Sequence, residues 1–292
     1  LRNLSTGTTA TTPPTASGIM LRSGTAGGNM NIANNMISLG NGQNTNTCFI
    51  GIWANHGSSP NPNDNLYHNS VQIEGVAASG ANPSFCFHRG NFATTTVNQV
   101  VVDIKDNIFN NTRTGGTGGH FAIGNFFNAT TTSSVGWAAN ASNYNVLNSA
   151  VAGTVGYWQT AQSFSGWQTA SLSDINSLSG VPINFLNTAS ADLHIVAPPV
   201  PAIEGSGILI GSVTIDYDGQ TRSTLSPVDI GADAGDFFNY PSIAFTPVPN
   251  ICTAGTQVLV ATITDADGVP TSGIGLPVLY WRKNAGPYAA VT

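Results

Sequence analysis

The densest group of charged residues in this sequence lies in its last third, where one arginine stands among four aspartates: Asp216, Asp218, Arg222, Asp229 and Asp233. Arginine presents a planar set of donors that suits carboxylates, so the pattern predicts that Arg222 is held by one or two of these aspartates. Asp216 and Asp218 also form the Asp-x-Asp-Gly opening of many calcium loops, but the sequence lacks the further ligands and closing glutamate of a full loop. We therefore expect a structural role here, with calcium as the weaker alternative.

The other residues that could do chemistry are scattered. Asp265 and Asp267 are a second calcium candidate, for which an ordinary turn is the stronger interpretation. Glycosidases need two or three carboxylates close together, and the five histidines show no metal-ligand spacing. We therefore expect no catalytic residue and no cofactor. The charged residues available to a polysaccharide-cleaving site in the first half are Asp64, Glu74, Asp103, Lys105, Asp106 and Arg113.

A repeat in the first half predicts the elements that position these side chains. Four short apolar segments each contain an asparagine, with separations of 34, 38 and 38 residues, and an apolar residue follows two places later. Residues two apart on a strand point to the same side, so the apolar residue and the asparagine share one interior. The asparagines are Asn35, Asn69, Asn107 and Asn145, and their apolar partners are Ile37, Val71, Phe109 and Leu147.

A second set of strand-like segments, 18–22, 49–53, 84–88 and 120–124, interleaves with the first. Polar loops rich in Gly, Ser, Thr and Asn separate the two sets, and no helical period is present. One such unit cannot bury its apolar face alone, whereas stacked units can. The pattern predicts an all-β fold built from parallel coils, in which the asparagines form a ladder along the stack.

Composition excludes several classes of protein. Only 8% of the residues are charged and there are 8 Lys and Arg with no basic run, so nucleic acid is not an expected partner. No stretch approaches the ~18 apolar residues of a membrane span. Residues 191–292 hold nine acidic and three basic groups, and the preceding residues hold five of each. This change favours a domain or functional boundary near residue 190.

These motifs carry a family resemblance. The segments at 34–39, 68–73 and 106–111, with Gly-Gly-His-Phe-Ala-Ile-Gly at 118–124, resemble a right-handed parallel β-helix of the pectate-lyase-like class. More narrowly, the chain is similar to β-helix domains of very large secreted surface proteins of the Bacteroidota. The match covers about residues 18–238, and its most specific motifs are those at 191–195, 216–222 and 229–233. The resemblance implies secretion, by the type IX route, to the bacterial cell surface.

Three regions follow from the repeat, the charge boundary and the resemblance. Residues 1–189 are predicted to form β-helix coils, and residues 190–240 a C-terminal cap over the open end of the last coil. Residues 241–292 are predicted to begin a partial Ig-like β-sandwich, because Leu279-Tyr-Trp281 resembles the strand whose tryptophan packs into the core of that fold.

The expected function is that of a non-catalytic, extracellular, adhesin-like structural module. Its expected partners are neighbouring domains of the same long polypeptide, and surface polysaccharide and the secretion machinery remain open as further partners. The alternative is a polysaccharide-binding or polysaccharide-cleaving β-helix. In that case tryptophans and acids would line one open groove, and the tryptophans available for stacking on sugars are Trp53, Trp137, Trp158 and Trp167.

Overall fold

The computed structural model divides the chain into two compact units, residues 1–237 and 238–292. It describes residues 15–22, 28–56, 63–90, 92, 100–127, 134–151, 153–196, 202–225, 228–235, 242–247, 258–264, 269, 276–282 and 285–291.

The first unit is a parallel β-solenoid. Its strands and its single described α-helix are β1 Thr15–Leu21, β2 Asn29–Ala33, β3 Met36–Leu39, β4 Cys48–Ala54, β5 Asn63–Tyr67, β6 Ser70–Ile73, β7 Val76–Ala77, β8 Ser84–Arg89, β9 Val101–Lys105, β10 Ile108–Asn111, β11 Thr114–Gly115, β12 His120–Asn125, β13 Ser142–Asn143, β14 Val146–Ser149, β15 Gly156–Trp158, β16 Thr160–Gln162, α1 Phe164–Ser171, β17 Phe185–Asn187 and β18 Asp192–Ile195.

Three stacked sheets form the walls of the solenoid. The first sheet has the order β1-β4-β8-β12-β15-β16, the second β2-β5-β9-β13 and the third β3-β6-β10-β14. All pairs in the three sheets are parallel except β15–β16, and the short strands β7 and β11 form a further parallel pair. Each coil contributes one strand to each sheet: the second set of segments forms the first sheet, and each asparagine segment spans the second and third sheets. The parallel β-solenoid expected from the sequence is therefore confirmed.

A two-residue bend joins the second sheet to the third in every coil. Its first residue is left-handed each time, with φ between 51° and 58°, and its second residue is an asparagine of the repeat. The apolar residue two places after that asparagine lies in one register column of the third sheet, buried in the central core. The column consists of Ile37, Val71, Phe109 and Leu147.

Helix α1 closes the core at the last coil. Ser163 caps its N-terminus by accepting a hydrogen bond from the backbone N–H of Gly166. Trp167 on α1 is fully buried and makes edge-to-face contacts with Trp137 and Trp158 at ring-centre distances of 5.6 and 5.9 Å. Helix α1 lies after the repeat units, in which the sequence shows no helical period, and the all-β class expected from the sequence holds for the described residues apart from α1 and two short 3-10 helices. No helix among the described residues is long and apolar enough to span a membrane.

Residues 181–196, 202–225 and 228–235, here called the lateral cover, pack along the outer face of the third sheet. They contact the first coil through Met36 and the later coils through Ile108 and Val146. The cap was expected over the open end of the last coil, and that position is wrong. The cover instead runs along the side of the stack, because the outward face of the third sheet carries the apolar side chains of Met36, Ile108 and Val146, which the cover buries. Besides β17 and β18, the cover contains short 3-10 helices at Thr188–Ser190 and Arg222–Thr224.

The second unit contains two antiparallel strand pairs among its described residues. They are β19 Ser242–Phe245 with β20 Ala261–Thr264, and β21 Leu279–Trp281 with β22 Ala289–Val291. An apolar cleft within this unit is lined by side chains of both pairs, including Phe245, Ile263 and Leu279. Trp281 is 53% exposed, so the expected packing of this side chain in a core is not observed. The Ig-like sandwich stays a prediction.

Candidate functional site: the bends beneath the lateral cover

The four asparagines of the bends form one continuous ladder of side-chain hydrogen bonds. Asn35 Nδ2 donates to Asn69 Oδ1 at 2.8 Å, Asn69 to Asn107 at 2.8 Å, and Asn107 to Asn145 at 3.0 Å. The backbone N–H of each donor residue also donates to the same oxygen. From Asn69 onward, each side-chain amide donates in addition to a strand carbonyl of the preceding coil. This asparagine ladder therefore satisfies the polar groups that the bends would otherwise bury unpaired.

Asp174 ends the asparagine ladder at the last coil. Its fully buried carboxylate accepts hydrogen bonds from Asn145 Nδ2, Ser142 Oγ and Ser177 Oγ through Oδ1, and from Trp167 Nε1 through Oδ2. Burial raises the pKa of Asp174, and the four donors oppose that rise. Asp174 thus joins the ladder to the tryptophan cluster, and the sequence analysis did not find it because the 38-residue spacing stops at Asn145.

The first residues of the bends form a second column, here called the bend column: Asn34, His68, Asp106 and Tyr144. The lateral cover forms hydrogen bonds with two of them, Asn34 and Asp106. Asn34 Nδ2 donates to the Ile215 carbonyl at 2.7 Å, and Asp106 Oδ1 accepts from the backbone N–H of Ile208 at 3.0 Å. The Asp106 carbonyl accepts from the Gly231 N–H at 2.8 Å.

Arg222 is the side chain of the cover that reaches deepest into this contact, with an exposure of 1%. Its Nη2 donates to Asn34 Oδ1 at 2.9 Å and to the carbonyls of Gly231 and Ala232 at 3.0 Å each. Its Nε donates to the Ile215 carbonyl at 3.2 Å. The expected pairing of Arg222 with a carboxylate is wrong for the described residues, because carbonyls and an amide surround the guanidinium at hydrogen-bond distance.

The aspartates around Arg222 instead hold backbone turns of the cover. Asp216 accepts from three N–H groups through its two oxygens, and Asp229 accepts from Gly205 and Gly235. Asp233 accepts from Ile195 at 2.7 Å. The fourth, Asp218, contacts His194 at 2.9 Å. The remaining calcium candidates, Asp265 and Asp267, lie outside the described residues.

Several polar atoms beneath the cover are buried without a hydrogen-bond partner. They are both ring nitrogens of His68, Oδ2 of Asp106 and Nη1 of Arg222. His68 Nε2 and Asp106 Oδ2 lie 3.6 Å apart, which is beyond the usual hydrogen-bond length. The contact between coils and cover is therefore polar, closed and incompletely satisfied.

Burial dominates the electrostatics of this contact. It raises the pKa of Asp106 to about 8 and that of Asp229 to about 6, against the opposing effect of the N–H groups that bind them. Burial, aided by the nearby charge of Arg222, lowers the pKa of His68 to about 3. Near neutral pH, His68 is therefore uncharged and Asp106 is mostly protonated. Burial also raises the pKa of Asp233 and lowers that of Arg222.

The acidic residues of the coils, which a polysaccharide-cleaving site would need close together, each lie in a different surrounding. Asp64 is buried against His56 at 2.8 Å. Asp103 pairs with Lys105 at 2.7 Å and with the Tyr67 hydroxyl at 2.6 Å. Glu74 accepts hydrogen bonds from Asn41, Gln72 and Thr188. Arg113 lies over the Phe49 ring and donates to two backbone carbonyls. Asp106 lies under the cover.

The tryptophans proposed for sugar stacking do not share a groove. Trp137, Trp158 and Trp167 pack against one another at the end of the core, and Trp137 is only 5% exposed. Trp53 is half-buried elsewhere, where its Nε1 donates to the Gly90 carbonyl and its ring contacts Phe92.

Comparisons of the chain with family models, with curated proteins and with solved structures find no match in any of the three. The roles of individual residues therefore rest on geometry. The bend column was missed by the sequence analysis because its residue types do not repeat. Its position directly before each ladder asparagine was the available signal.

Proposed function

We propose that this chain is a non-catalytic structural module whose solenoid serves as a spacer or presenting scaffold in a larger extracellular surface protein. The observation that carries the proposal is that the buried polar side chains of the solenoid and the cover form hydrogen bonds with other groups of the same chain. The asparagine ladder, Asp174 and the aspartates around Arg222 all bind groups of the chain. Side chains used in this way hold a shape and leave few groups directed at a substrate.

The finer features of the proposal come from the sequence resemblance. They are a right-handed coil, a following Ig-like domain, an adhesin-like role and export to the surface of a bacterium of the Bacteroidota type. Low charge and polar, turn-rich loops support an extracellular setting, in which neighbouring domains of the same polypeptide are the natural partners. On this proposal the lateral cover fixes the coils as one rigid body.

The experiment that tests the proposal is a binding and cleavage screen of the purified chain. Polygalacturonate, alginate and a panel of neutral glycans would be incubated with the chain, and product release and retention on immobilised glycan would be measured. We expect neither cleavage nor saturable binding.

The informative variant for that screen is Asp103→Asn, because Asp103 lies on the surface of a coil and is partly exposed. Asp106 is unsuitable because its substitution also alters the contact with the cover. Cleavage that the wild type performs and Asp103→Asn does not would refute the proposal and favour a polysaccharide-cleaving β-helix. Saturable glycan binding without cleavage would favour a carbohydrate-binding module.

A further inference from the structure

Three side chains from separate parts of the lateral cover converge on one point. His194 comes from β18, Asp218 from the turn that follows Asp216, and Asp233 from the last described turn of the cover. One ligand atom of each lies within 4.8 Å of the others, and no other such group of His, Cys, Asp and Glu occurs in the part of the chain that the structure describes. The Asp-x-Asp-Gly motif pairs Asp218 with Asp216, but both carboxylate oxygens of Asp216 are occupied by backbone N–H groups.

The imidazole of His194 is oriented as in metal sites. Its Nδ1 lies 2.5 Å from Asp192 Oδ1, and its Nε2 points to Asp218 Oδ2 at 2.9 Å. Metal-binding histidines commonly donate the N–H of one ring nitrogen to a carboxylate, which fixes the tautomer and leaves the other nitrogen free to ligate. Asp192 supplies that carboxylate from the same strand.

Asp233 is held beside the same strand that carries His194. The residue is only 8% exposed, and its Oδ2 accepts a hydrogen bond from the backbone N–H of Ile195 at 2.7 Å. Ile195 follows His194 directly on β18, so this hydrogen bond fixes the Asp233 carboxylate next to the imidazole.

We propose that His194, Asp218 and Asp233 bind a divalent transition-metal ion, most naturally zinc. Zinc takes histidine nitrogen and aspartate oxygen, and a site with three protein ligands leaves its fourth position to water. Calcium prefers six to eight oxygen ligands, so a site containing imidazole disfavours it. The ion would cross-link three segments of the lateral cover: β18, the turn at 216–219 and the turn at 229–235.

The competing explanation of the same geometry is a protonated His194 that bridges Asp192 and Asp218 without any metal. Partial burial lowers the pKa of His194, but the hydrogen bonds to Asp192 and Asp218 and the charges of Asp233 and Asp218 outweigh it and raise the pKa above its ordinary value. Metal titration separates the two explanations, because a doubly protonated imidazole that donates to both carboxylates has no free nitrogen to bind an ion.

The test uses the full chain after treatment with a chelator and removal of that chelator. Zinc chloride would be titrated by calorimetry, and cobalt chloride by its visible absorption, slightly above neutral pH. We expect one ion per chain and a midpoint of thermal unfolding that rises with zinc. His194→Gln and Asp218→Asn should each weaken zinc binding at least tenfold, and Asp192→Asn should weaken it about tenfold through loss of the oriented imidazole.

The matched control is Asp103→Asn, since Asp103 and Asp192 have the same side-chain exposure of 34% and each pairs with one basic side chain. This variant should keep the wild-type affinity. Asp218 is 44% exposed in a turn, so Asp218→Asn tests ligation even where His194→Gln fails to fold. Absence of saturable binding by the wild type would overturn the proposal, as would unchanged affinity in Asp218→Asn together with folded His194→Gln. Calcium binding as tight as zinc binding would also overturn it.

Discussion

The asparagine ladder and the bend column are adjacent in every coil, yet they differ in chemistry. The ladder repeats one residue type, and each amide supplies the partner that the next one needs. The bend column uses asparagine, histidine, aspartate and tyrosine, and leaves buried atoms of His68 and Asp106 without partners. A column whose neighbours are copies of itself can be satisfied by repetition. A column that contacts a non-repeating segment such as the cover needs a different residue type in each coil.

The strongest test of the ladder is Asn107→Ala. Asn107 bridges Asn69 and Asn145 and also donates to the Leu66 carbonyl, so its loss leaves several buried groups unpaired. Each such group costs about 1–3 kcal/mol, and we expect a loss of about 4 kcal/mol in the free energy of unfolding, measured by denaturant titration.

The matched control for Asn107→Ala is Asn65→Ala. Asn65 donates to Asn31 of the adjacent coil, but on an exposed face of the second sheet. This variant should lose less than about 0.5 kcal/mol. Similar losses in the two variants would show that the burial of the ladder contributes nothing special.

The bend column is tested through its partner by Arg222→Ala. The substitution removes donors from Asn34, Gly231 and Ala232 at a buried contact, and we expect a loss of about 3 kcal/mol. Arg222→Lys should not restore the wild-type value, because a single ammonium nitrogen cannot replace both Nη2, which has three acceptors, and Nε, which donates to the Ile215 carbonyl. Thermal unfolding with and without added calcium should show the same difference, and a calcium-dependent difference would instead support a calcium site in the cover.

The last test is a pH dependence, seen by comparing the wild type with Asp106→Asn. The pKa of Asp106 is raised to about 8 in the folded protein, above the ordinary value of about 3.9 in an unfolded chain. The stability contributed by its bound proton is complete below about pH 4 and is lost as the pH rises to about 8. Asparagine mimics the protonated carboxyl and cannot ionise.

Relative to Asp106→Asn, the wild type should therefore lose stability as the pH rises from about 4 to about 8, and should lose no more above that range. Asp229 also titrates abnormally, but it is present in both proteins, so its effect cancels in the difference. Parallel stability curves for the two proteins across this range would contradict the raised pKa of Asp106.

The same contrast explains what the sequence could predict. The asparagine spacing predicts the coils and the interior column because each contact of the ladder repeats at nearly constant separation. The contact of Arg222 with Asn34 joins residues 188 positions apart and occurs once, so no period indicates it. Helix α1 had local signals in Ser163 and in the spacing of Phe164 and Trp167, but eight residues give too short a period to be recognised.

The position of the lateral cover has a consequence for how the chain folds. Each coil can pair with the coil before it as soon as it is made, whereas the cover meets Met36 and Asn34 only as residues from about 185 to 232 become available. Until then the outer face of the third sheet, with Ile108 and Val146, is bare, and bare apolar sheet faces promote aggregation. The cover, which is synthesised after the coils, thus shields their apolar outer face from aggregation. The coils without the cover should therefore be prone to aggregate.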